Sequence, residues 1–115
     1  MQIAKFDIKI YLINPNKPIM YEITSSIYLE LAERLVAAIS DREFFSGAIV
    51  AYDGDICCRL VCTVVVSRER ELLDGSMRRV IKRIVPVWWE LKTTVGEEVV
   101  DNDFSFEELR RVIFE

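Results

Sequence analysis

The chain has 115 residues, of which 51% are hydrophobic and 30% charged. That is enough to bury a real core without metal or disulfide staples, and it excludes a disordered chain. A formal net charge of −4 disfavours a surface that is basic throughout, as a general nucleic-acid or anionic-membrane binder would need, while leaving room for a local patch.

Taken in order, residues 5–13 alternate, with Phe6, Ile8, Ile10 and Leu12 on one side and Lys5, Asp7, Lys9 and Tyr11 on the other, which predicts a half-buried strand. Asn14-Pro15-Asn16-Lys17-Pro18 ends it, because two prolines remove donors and fix φ. Ile19, Tyr21 and Ile23 alternate again and predict a short return strand over 19–24. Thr24-Ser25-Ser26 offers N-caps for an amphipathic helix over about 25–40, whose stripe is Ile27, Leu31, Leu35, Ala38 and Ile39. Glu30 and Arg34 form an i, i+4 pair on its outer side.

Asp53-Gly54 then reads as a type I′ hairpin turn between two β-rich runs. The second arm is apolar at Ile56, Cys58, Leu60, Cys62, Val64 and Val66, and also at Cys57, Val61 and Val65. The reading is a strand interior to the sheet and covered on both faces for much of its length. Asp74-Gly75 repeats the turn signal, giving a meander of strands over 46–52, 55–72 and 77–95. A competing pattern makes 74–84 a helix, since Met77, Val80, Ile81 and Ile84 recur at helical spacing ahead of Pro86.

Further on, Val85, Val87, Trp89, Leu91, Thr93 and Val95 predict one strand face, with Trp88, Glu90 and Lys92 opposite. An acidic loop follows Gly96. Ser105 with Glu108 is a capping box that opens a short C-terminal helix over about 105–114. The fold class is therefore α+β, one domain over 1–115: an antiparallel sheet of four to five strands with both helices on one face. The β(β)αβββα meander is favoured over a ferredoxin-like βαββαβ order with an added helix.

There is no histidine, which removes Ser-His and Cys-His nucleophile pairs and most catalytic zinc sites. Asp53 and Asp55 flank Gly54 and are explained by the turn. Asp101-Asn102-Asp103 resembles the start of a calcium loop, but Phe106 and Val112 occupy the positions that need Gly and a bidentate Glu. The three cysteines lie on one strand. Cys58 and Cys62 are about 13 Å apart at ~3.3 Å per residue, too far to bridge, so the thiols read as reduced core residues of a cytoplasmic protein. The N-terminus has no signal-peptide pattern and no apolar run is long enough to span a bilayer. No catalytic, cofactor or metal residues are assigned.

Two features point to interaction. The first is a basic cluster: Arg68, Arg70, Arg78, Arg79, Lys82 and Arg83. The second is Trp88-Trp89, whose indoles point to opposite faces, so that they are both core only if both faces are covered. An exposed one would be an interface anchor. The resulting expectation is a non-catalytic cytoplasmic interaction or assembly module, homodimeric, not membrane-bound and without cofactor. The alternative is a nucleic-acid-binding domain using residues 68–83, a cluster that would equally suit an acidic protein partner. A third is a small-molecule pocket between sheet and helices.

Overall fold

The computed structural model describes residues 10–11 and 20–115. Its elements are β1 (Ile10–Tyr11), β2 (Met20–Tyr21), α1 (Ser25–Ile39), β3 (Phe44–Asp53), β4 (Ile56–Leu73), β5 (Ser76–Val95), β6 (Glu98–Asn102) and α2 (Phe106–Phe114). The strands are ordered β1-β2-β6-β5-β4-β3. All described pairings are antiparallel except β2 with β6. The class is α+β, as the patterning indicated. The expected strand over 5–13 and the proline turn at 14–18 fall largely outside the described residues. Glu98–Asn102, read from sequence as an acidic loop, forms β6. It takes the only parallel partner among the described strands.

Residues 74–84 are ribbon, not helix. Leu73 faces Ser76, so Asp74-Gly75 is a two-residue turn, and both residues have positive φ (50° and 79°), the signature of type I′. The first hairpin is different. Asp53 faces Ile56, which makes Gly54-Asp55 the loop, and only Gly54 (φ 62°) is left-handed, the φ pattern of type II′. The helical spacing in 77–84 also has an explanation. The β4–β5 register shifts between Ser67 and Arg68, leaving Lys82 unpaired. This bulge flips the side-chain alternation, so Ile81 (opposite Arg68) and Ile84 (opposite Val66), three residues apart, share one face.

A second shift, between Thr63 and Val64, leaves Val87 unpaired. It splits the single face expected for residues 85–95. Val85 pairs with Val65 on one side of the sheet, whereas Trp89, Leu91 and Thr93 pair with Cys62, Leu60 and Cys58 on the other.

Both helices pack on one side. α1 buries Ile27, Tyr28, Leu31, Ala32, Leu35 and Ile39 against the sheet, after Thr24 caps it by accepting from the Ile27 amide at 3.2 Å. α2 buries Phe106 and Leu109. Only the forward half of the Ser105 capping box forms: Ser105 Oγ accepts from the Glu108 amide at 3.2 Å. The Ser105 amide donates instead to the Tyr28 hydroxyl at 3.0 Å, which ties α2 to α1, while Glu108 pairs with Arg111. Beyond β3, the β4–β5 hairpin continues as a two-stranded ribbon. The radius of gyration is accordingly 16.7 Å, against roughly 13 Å for a compact domain of this length.

Candidate interaction surface

β4 is interior to the sheet but covered on one face only. Ile56, Cys58, Leu60, Cys62, Val64 and Val66 are buried beneath the helices. The expected cover on the second face is missing among the described residues: Cys57, Val61 and Thr63 are half-buried and Arg59 and Val65 exposed. The physical reason is supply. Two helices of 15 and 9 residues lie on the same side, leaving no described element for the other.

The bare face is a regular grid fixed by the strand registers. Its rows run Phe44–Val65–Val85, Ser46–Thr63–Trp88, Ala48–Val61–Glu90, Val50–Arg59–Lys92 and Tyr52–Cys57–Thr94. Ser46 and Thr63 hydrogen-bond through their hydroxyls at 2.8 Å. Trp88, at the centre of its strand, is 51% exposed and Phe44 55%. Arg59 and Lys92 stand directly opposite each other, and neither forms an ion pair among the described residues. Facing like charges are unfavourable on a sheet. An open groove of about 660 Å³ lies beside this row, lined by Arg59, Lys92, Glu90 and by Asp101 and Asn102 of β6.

Trp89 points the other way, to the helix side, and tilts against Phe106 with ring centroids 5.4 Å apart. It is still 44% exposed, so neither tryptophan is a core residue.

The six cations of the basic cluster do not form one patch. Arg68 serves the fold: its guanidinium donates to the carbonyls of Ser40 and Arg42 at 2.7 and 2.8 Å, closing the α1–β3 connection where Ser40 has φ 53°. Arg79 pairs with Glu43 at 3.1 Å and Lys82 with Glu71. The Lys82 ammonium is held above its ordinary pKa by that hydrogen bond and charge. By register, Arg68, Arg70 and Arg79 share the helix side of the ribbon, whereas Arg78 and Arg83 share the bare side. The ribbon also exposes an apolar tip, Leu72 and Met77, which face each other across its strands.

Two of the three residues that looked like oxygen ligands are used as braces. Asp103 Oδ1 accepts from the Ile23 amide at 2.8 Å, and Asn102 donates to Leu91 O at 3.0 Å and accepts from the Phe104 amide at 3.0 Å. No cluster of metal-ligating side chains occurs among the described residues. All three cysteines are free. Burial pushes the Cys58 and Cys62 thiols up to about 11, which leaves them protonated and unreactive at neutral pH. No described helix is long and apolar enough to cross a membrane. The bare face was missed along β4 because it is the weaker alternation of a strand that read as covered on both sides for much of its length.

No family model, curated protein or solved structure matches the chain.

Proposed function

We propose that this chain is a non-catalytic interaction and assembly module that works as a homodimer, with the bare face of the sheet as its contact surface. One observation carries this: the sheet has a helical layer on one side and, among the described residues, nothing over Trp88, Phe44, Val65 and Val85 on the other. Exposed apolar area of this kind around a rigid aromatic is the usual form of an interface core. A second copy is favoured by charge. Glu90 lies one row from Arg59 and Lys92, which form no ion pair among the described residues, so the face carries both signs of charge and can complement a second copy of itself. Three free thiols used in or beside the core suit a reducing, cytoplasmic setting.

Nucleic-acid binding is the weaker reading, since Arg68, Arg79 and Lys82 already have partners and the remaining cations are divided between two sides of the ribbon. The test is light scattering on a size-exclusion column. The expected result is a mass of at least two 13.4 kDa chains that resists high salt and falls in Trp88→Glu. A single-chain mass at every concentration, or a mass untouched by Trp88→Glu, contradicts the proposal. Nucleic acid that co-purifies and leaves at high salt would favour the basic cluster instead.

A further inference from the structure

The outer edge of β3 is a second surface: Phe44, Ser46, Ala48 and Val50 set their side chains on the bare face, while their backbone runs along the edge of the sheet. β3 is the last strand of the sheet, paired with β4 from Phe44 to Asp53 without a register shift. The Tyr52 amide points away from β4, because it donates to Glu30 Oε1 at 3.2 Å, whereas the Glu43 carbonyl points toward β4 and accepts from the Val66 amide at 2.9 Å. Backbone direction alternates along an antiparallel strand, so the N–H and C=O groups of Phe44, Ser46, Ala48 and Val50 also point outward. No described strand meets them.

Such an edge is normally defended, and the same sheet shows how. β5 meets β6 only through Thr93–Val95, so among the described residues much of its length is also a margin. There it carries Pro86, which lacks a donor, two bulges, and a run of charges from Arg78 to Arg83. Two of its outward carbonyls are capped: Arg110 donates to Ile84 O at 3.1 Å and Asn102 to Leu91 O. From Phe44 to Tyr52, β3 has no charge, proline or bulge. Its glycine belongs to the other side, since a Cβ at Gly47 would come within 3.0 Å of the Phe45 ring.

We infer that the β3 edge pairs antiparallel with the β3 edge of a second copy, joining two sheets into one. The occupant follows from self-complementarity. The free groups are spaced evenly about Gly47, so a two-fold there sets Phe44 of each copy opposite Val50 of the other, and Ser46 opposite Ala48. Every outward group in that stretch gains a partner, and no like charges face each other within it.

Amide hydrogen exchange, read residue by residue by NMR across a dilution series, tests this. The expected result is that the Ser46, Ala48 and Val50 amides exchange about ten-fold or more slowly at high than at low concentration. Ala48→Pro removes the protection at Ser46 and Val50, and its lost N–H has no acceptor among the described residues, so thermal melting should show the fold retained. In Trp88→Glu the protection persists, because Trp88 on β5 lies two strands from the β3 edge. Exchange at those amides that is fast at all concentrations overturns the inference, and so does protection that vanishes with Trp88→Glu. In that last case the bare-face reading stands and the edge reading falls.

Discussion

The two faces of β4 are made from similar material and end in different surroundings. One carries Ile56, Cys58, Leu60, Cys62, Val64 and Val66, all buried beneath α1 and α2. The other carries Cys57, Val61 and Val65 with Arg59 and Thr63, and is at best half-covered by described residues. The difference lies in what the described elements supply to cover each face, not in hydrophobicity alone. Large exposed apolar patches are where interaction sites are sought, which is the ground of the proposal.

Substitutions that separate the faces sharpen this contrast. The largest effect is expected on the covered side: Leu60→Ala leaves a cavity and lowers unfolding free energy by about 2–5 kcal/mol in denaturant titrations. Its bare-face neighbour behaves oppositely, with Val61→Ala costing under about 1 kcal/mol at low concentration but weakening self-association. Tyr28→Phe is intermediate. It leaves the Ser105 amide without its acceptor and should cost about 1–3 kcal/mol in thermal melts.

The thiols give a pH test of the covered side. Burial raises the Cys58 and Cys62 values from 9.0 to about 11, so the unfolded chain loses these protons first. Unfolding then releases protons, and stability that is complete below pH 9 falls as pH rises toward 11. Cys58→Ala with Cys62→Ala should flatten that slope. The smallest signal is chemical. A thiol reagent should modify the half-buried Cys57 in the native protein and reach Cys58 and Cys62 only on unfolding, and fast labelling of either buried thiol would contradict this burial.

Much of the fold was legible because its signals are local. Thr24 and the Ile27–Ile39 stripe mark α1, Ser105 opens α2, and Asp74-Gly75 marks the second hairpin. Two bulges, at Val87 and Lys82, shift the alternation of β5, which gave residues 77–84 their competing helical pattern and made Val85 and Trp89 look like face-mates. Bulges depend on the partner strand and leave no clear mark in one sequence. β6 was hidden because Glu98 and Asp101 are charged and its order comes from Thr93–Val95 and from β2. Of the surface residues singled out, Trp88 lies on the bare face, while Arg68 proved to be a brace whose target, the carbonyls of Ser40 and Arg42, lies more than 20 residues away in sequence.

The most direct measurement uses Trp89→Phe, which leaves Trp88 as the sole indole, and follows its fluorescence across a dilution series. The account predicts emission that moves to shorter wavelength as concentration rises and returns on dilution, because a second copy covers the ring. Emission fixed at the wavelength of a water-exposed indole throughout would mean that the bare face stays bare, and the assembly reading would be wrong.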